Sequence, residues 1–124
     1  VLAFAAFCQQ EGYLLKELNV PYYSSSVNQS DSYIREKCLL DIYYPRNAKN
    51  FPVIVWFHGG GLKSGNKELP AGLIQKEIGI VSVGYRLFPT VKCPKYLEDA
   101  AVAVAWAKRT WDDRTCFPVG YQAC

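Results

Sequence analysis

Pro52-Val53-Ile54-Val55-Trp56-Phe57 is an unbroken run of strand-forming residues that leads with no spacer into His58-Gly59-Gly60-Gly61. An apolar run without alternation predicts a central strand buried on both faces. Three consecutive glycines directly after it need a reason, because each costs backbone entropy. A second run of the same kind, Ile80-Val81-Ser82-Val83-Gly84-Tyr85, follows.

The flanking segments set the order of elements. Tyr13 to Val20 alternates, with Leu14, Leu18 and Val20 assigned to one face, and reads as a half-buried strand. Pro21 to Ser32 is rich in Ser, Tyr and Asn and reads as a loop. Lys37 to Tyr44 alternates again and stops at Pro45. Lys67 to Glu77 reads as a short helix despite Pro70 and Gly72. Pro94 to Arg109 is the clearest helix: Pro94 suits its first turn, Glu98 and Asp99 its positive end, and Lys108-Arg109 its last turn. Its middle, Ala100 to Ala107, is apolar all round, which predicts burial against a sheet. Two alternating strands followed by strand, helix, strand, helix define an α/β domain whose sheet starts antiparallel and becomes parallel through crossover helices.

The glycines admit two chemical readings. A phosphate loop would need glycine before Lys63-Ser64, where Leu62 stands, and a dinucleotide fingerprint would need glycine at Ser64. Neither pattern is met. The remaining reading is an oxyanion hole, in which successive N–H groups at a strand's end hold the negative oxygen of an acyl-transfer intermediate. A tight turn without chemistry is the plain alternative.

The wider pattern resembles α/β-hydrolase esterases of the hormone-sensitive-lipase type and the related bacterial feruloyl and xylan esterases. Four segments carry the resemblance in order: Leu40-Asp41-Ile42-Tyr43-Tyr44-Pro45, Pro52 to Gly61, Tyr85-Arg86-Leu87-Phe88-Pro89 and Pro94 to Ala100. The resemblance implies the N-terminal, incomplete part of such a sheet over residues 13–124, with Gly60 and Gly61 giving oxyanion-hole N–H groups. It implies that His58, with Gly59, shapes the loop, and that Arg86 and Asp99 pair to brace it. The substrate implied for the full-length parent is a small-molecule or carbohydrate-linked ester, with no cofactor and no metal.

Such an enzyme needs Ser in Gly-x-Ser-x-Gly, then an acid, then a histidine. Phe117 to Cys124 lies where that strand and elbow belong, but Gln122 occupies the serine position and Cys124 that of the last glycine. An amide is no nucleophile, and Cys124 stands two positions off with no histidine to activate it. His58 is the only histidine in the chain. The expectation is an N-terminal portion of a carboxylic-ester hydrolase, inactive alone, from a parent of roughly 250–300 residues. Truncation or a shifted reading frame would explain the divergent tail. The alternatives are a hydrolase-derived binding module that has lost its nucleophile, and an unfolded gene fragment.

Composition restricts the partners. With 14 Lys+Arg against 11 Asp+Glu, the net charge of +3 is too small to imply a nucleic-acid surface. No apolar stretch reaches the ~18 residues that suggest a spanning helix. Val1 to Cys8, followed by Gln9-Gln10-Glu11-Gly12, resembles the rear of a secretory signal, which points to export, periplasmic or secreted. A lipoprotein signal with Cys8 bearing the lipid is the other option, and an apolar N-terminal strand a third. Five cysteines without a C-x-x-C pair make a zinc site improbable.

Overall fold

The computed structural model describes residues 14–45, 51–74 and 77–114. Four strands, β1 (Leu14–Pro21), β2 (Leu39–Pro45), β3 (Val53–Phe57) and β4 (Gly79–Val83), form one sheet in the order β1-β2-β4-β3. β1 and β4 each pair antiparallel with β2, and β3 pairs parallel with β4. The antiparallel start and parallel continuation therefore match the sequence expectation. Among the described residues three α-helices complete the order: α1 (Ser25–Ser30), α2 (Ser32–Lys37) and α3 (Lys95–Arg114).

Strand alternation divides the sheet chemically. Leu40 and Ile42 of β2 stand opposite Val83 and Val81 of β4, and these in turn neighbour Phe57 and Val55 of β3. This apolar set packs with Tyr22, Ile34, Cys38, Ala103 and Ala107 into one core. The intervening positions, Asp41, Ser82 and Trp56, form a cross-strand row on the opposite face. The connection from β3 to β4 crosses that face.

Several local expectations are corrected. Pro21 to Ser32 is not a plain loop: Ser24 caps α1 by accepting from the Val27 N–H, and Asp31 caps α2 by accepting from Tyr33 and Ile34. These are the residue types that satisfy the orphan N–H groups of a first helical turn. Lys67 to Glu77 holds no α-helix among its described residues, only a 3-10 turn at Ala71–Leu73. Pro70 and Gly72 win over the surrounding helix formers there. Leu18 does not share the buried face; Asn19 enters the left-handed region at φ 57° and the register shifts between Glu17 and Val20, leaving Leu18 51% exposed. β3 is half-buried along its length because it is the edge of the described sheet, whereas β4 is buried throughout. Among the described side chains of α3 only one stripe is deeply buried: Ala103 and Ala107 face the core while Ala101 and Ala105 are exposed. The segments Val1 to Cys8 and Phe117 to Cys124, with Gln122 and the expectations attached to them, lie outside the described residues.

Cys38 and Cys93 are free thiols, one fully buried and the other exposed. Burial pushes the Cys38 thiol up to about 12, with the neighbouring Asp99 carboxylate adding to the rise and the Tyr22 hydroxyl and Arg86 opposing it. A thiol so protonated at neutral pH is a poor nucleophile. Iodoacetamide at pH 8 should therefore alkylate Cys93 in the native protein well before Cys38. Peptide mass mapping checks this, and equal labelling would contradict the buried placement of Cys38.

Candidate active site

The glycine segment begins where β3 ends. His58 is 6% exposed and stacks on Tyr85, with ring centroids 4.5 Å apart and planes 11° from parallel. The Tyr85 hydroxyl donates to the His58 carbonyl oxygen at 2.7 Å. His58 Nδ1 donates to the Gly59 carbonyl at 2.8 Å, a pairing that calls for the proton on Nδ1 because a carbonyl only accepts. The His58 ring thus serves the loop, through the Gly59 backbone at one edge and Tyr85 against its face.

Beyond His58 the backbone turns through the left-handed region at Gly60 (φ 124°), Gly61 (φ 62°) and Leu62 (φ 64°). The Gly60 carbonyl closes the turn by accepting from the Lys63 N–H at 3.1 Å and from the Ser64 N–H and hydroxyl at 3.3 Å. A Cβ at position 60 would collide with the Ser64 backbone carbonyl, and one at Gly65 would meet the His58 ring. Glycine is required at both positions by contact as well as by φ. Among the described residues no hydrogen bond occupies the backbone N–H of Gly60 or Gly61, and both residues are exposed. The turn leaves two adjacent donors, unpaired among the described residues, on exposed residues just past a parallel strand's C-terminal end.

Behind the turn lies a buried ion pair. Arg86 follows β4, and Asp99 lies early in α3 with no exposed surface. Arg86 Nη2 donates to Asp99 Oδ1 at 2.7 Å and Nε to Oδ2 at 2.9 Å, while the Arg86 backbone N–H donates to Oδ2 at 3.0 Å. The Tyr23 hydroxyl adds a bond to Oδ1 at 2.6 Å, and Asp31 approaches Arg86 Nη1 at 3.9 Å. Burial by itself would raise the Asp99 carboxyl, but the donors from Arg86 and Tyr23 hold it below its ordinary value. Phe88 continues the segment, its N–H donating to the Leu62 carbonyl at 2.8 Å, which ties the Arg86 segment to the glycine turn. The aromatic residues Tyr22 and Trp56 serve packing and anchoring: the Tyr22 hydroxyl donates to the Gly84 carbonyl, and Trp56 Nε1 to Glu68 Oε1.

Sequence reasoning missed Asn19, Asp41, Lys67 and Ser82, which hold the far end of the glycine loop. Lys67 Nζ lies 2.6 Å from both Asp41 Oδ1 and Asn19 Oδ1. The Ser82 hydroxyl donates to the Glu68 carbonyl at 2.6 Å and accepts from the Glu68 N–H at 3.0 Å. The only signal in the sequence was a polar residue at the centre of each apolar strand, Asp41 in β2 and Ser82 in β4.

This sheet order, with a glycine turn after the first parallel strand, defines the opening half of an α/β-hydrolase fold. The crystal structure of esterase B from Lactobacillus rhamnosis superimposes with a TM-score of 0.68 at 22% identity, over 95% of this chain and 39% of that one. Residues 40–113 match the BD-FAE family, and the chain belongs to it. Versiconal hemiacetal acetate esterase of Aspergillus parasiticus is 30% identical over 125 residues, covering 96% of this chain and 40% of the relative. Esterase LipI of Mycobacterium tuberculosis is 37% identical over 73 residues, covering 52% of this chain and 23% of the relative. The chain therefore spans less than half the length of these relatives.

Removing Arg86 alone, as Arg86→Met, should cost about 3–5 kcal/mol because it leaves a buried carboxylate uncompensated. Arg86→Met with Asp99→Asn should cost less than the sum of the single changes, and additive denaturation energies would show that the two do not act as a pair. The depressed Asp99 value also fixes a pH dependence. Its stabilisation is fully present above the ordinary value of 3.8 and is lost as pH falls through the lower native value. Asp99→Asn should flatten that part of the acid-unfolding profile.

Proposed function

We propose that this chain is the N-terminal portion of a carboxylic-ester hydrolase and that its glycine turn supplies the oxyanion hole. The observation that carries this reading is the pair of N–H groups at the exposed Gly60 and Gly61, without partners among the described residues, in a left-handed turn just past the C-terminal end of β3. In the reaction a serine outside the described residues attacks the ester carbonyl, and its proton passes to a histidine. The carbonyl oxygen gains negative charge and accepts from Gly60 and Gly61, with a further N–H from the residue after the serine. The C–O bond to the alcohol then breaks, the histidine returns its proton to the leaving alcohol, and water releases the acid from the acyl-enzyme. In this scheme His58 supports the loop, stacked on Tyr85 and bonded through Nδ1 to the Gly59 carbonyl. Gln122 stands where the serine is expected, so this stretch alone supplies no nucleophile. In a parent whose sequence past Arg109 lacks the divergent tail, that position carries the serine, and the acid and second histidine follow it.

The substrate is a small-molecule or carbohydrate-linked ester, in keeping with relatives named as esterases. Export fits the apolar Val1 to Cys8 segment with its polar successor.

The native protein from its source should have a mass about twice the 14.0 kDa of this chain or more. It should react with a fluorophosphonate probe and hydrolyse p-nitrophenyl acetate. Gly60→Ala in that protein should lower kcat by about 10²-fold or more, since the added Cβ displaces the turn that aims both donors. A folded native protein that ends at Cys124 and neither reacts with the probe nor hydrolyses the ester would make the chain a binding module instead.

A further inference from the structure

The glycine turn is secured upstream by Tyr85 and His58, but its downstream end is gripped by something different. Asp41, Ser82 and Trp56 are neighbours in one cross-strand row on three adjacent strands, on the face opposite the α3 core. Two successive loop residues meet that row. The Lys67 ammonium reaches Asp41 at 2.6 Å, the Glu68 backbone exchanges both of its hydrogen bonds with the Ser82 hydroxyl, and Trp56 Nε1 donates to Glu68 Oε1 at 3.3 Å. At the outer end of the row Asn19, strained into the left-handed region by the β1 bulge, gives its N–H to the same Asp41 oxygen and its side-chain oxygen to Lys67.

A polar side chain in the middle of an apolar strand needs a partner, since burial without one costs ~1–3 kcal/mol. Ser82 is 1% exposed and the Lys67 and Asp41 side chains are 18% and 13% exposed. These groups therefore have one low-energy arrangement, and it places residue 67 at a fixed point on the sheet. Between that point and His58 lie eight residues, four of them glycines and four of them at positive φ. Upstream the stretch is held at His58 and at the Leu62 carbonyl, which accepts from the Phe88 N–H. A glycine-rich loop left free beyond those points would sample many conformations. Anchored at both ends, it is held in the one that leaves the Gly60 and Gly61 N–H groups unpaired among the described residues.

We propose that Lys67 and Ser82 are positioning residues for the oxyanion-hole turn, acting by fastening its downstream end to the polar row of the sheet. This rests on the esterase reading above, because it assigns the clamp a purpose in that reaction. Neither residue touches the substrate. Their effect is to set the direction of the two N–H groups before the substrate arrives, so their loss acts on the transition state, where the oxygen carries charge, more than on ester binding.

The test uses the complete protein that carries this chain, with Lys67→Met, Ser82→Ala, Lys67→Arg and the charge-free pair Asp41→Asn with Lys67→Met. Lys67→Met and Ser82→Ala should each lower kcat by about tenfold or more with KM changed by less than about twofold, because displacement of a catalytic donor by a fraction of its bond length suffices for that. Lys67→Arg should recover part of the loss. Asp41→Asn with Lys67→Met removes the stranded carboxylate, so it should restore melting temperature toward wild type and leave kcat low. Hydrogen exchange gives a second reading independent of turnover. The Lys63 and Ser64 amides, which bond to the Gly60 carbonyl, should exchange about tenfold faster in Lys67→Met, while the β4 amides of Val81 and Val83 keep their protection.

Unchanged kcat together with unchanged exchange at Lys63 and Ser64 would overturn the proposal, as would a loss of kcat that tracks melting temperature across all four variants. If the wild-type protein hydrolyses no ester, the esterase reading fails, and the exchange data alone decide whether the clamp positions the turn.

Discussion

Asp99 carries its charge with no exposed surface, and the packing around α3 depends on how that charge is satisfied. Its two oxygens accept from the Arg86 guanidinium, the Arg86 backbone N–H and the Tyr23 hydroxyl, so three parts of the chain converge on one carboxylate. Arg86 is the segment leaving β4, Tyr23 the segment leaving β1, and Asp99 the first turns of α3. Asp31, which caps α2, approaches the same guanidinium. An ion pair like this adds little net stability over an apolar replacement, because desolvation offsets the attraction. Its consequence is geometric: a bidentate fork accepts few orientations, so the helix and the post-β4 segment are fixed relative to each other.

That fixed segment carries the glycine turn. Tyr85, one residue before Arg86, stacks on His58 and bonds its carbonyl, and Phe88, two residues after, bonds the Leu62 carbonyl. The loop after β3 is thus placed by the strand that follows it in sequence, not by its own preferences. On the other side of the sheet the row Asp41, Ser82 and Trp56 takes the same loop at Lys67 and Glu68. The two faces of the sheet divide the work between them. One buries Leu40, Ile42, Val81 and Val83 against α3, and the other fastens the chain that presents Gly60 and Gly61.

The strands were legible because their signals are local. Alternation in β2 and the unbroken runs of β3 and β4 come from side chains that must be buried whatever the partner. Other features were hidden for a specific reason in each case. The bulge at Asn19 is stabilised by Asp41 and Lys67, residues 22 and 48 positions away, so nothing near Leu18 announced that it would face solvent. Helices α1 and α2 are six residues each, too short for a hydrophobic period, and only their caps at Ser24 and Asp31 marked them. Lys67 looked like a helix start, but its ammonium belongs to Asp41.

From the sequence alone came the α/β class, the antiparallel-to-parallel change and the glycine turn, since periodicity and motif order are local properties of the chain; the likeness to esterases came from the resemblance of four segments in order. Only the tertiary structure decided which strands lie at the edges of the described sheet, that the exposed Gly60 and Gly61 keep N–H groups unpaired among the described residues, and that Asp41 and Ser82 grip the loop between β3 and β4. Those outcomes depend on pairings between residues far apart in the chain. A hydrogen bond has direction and a partner, and composition records neither.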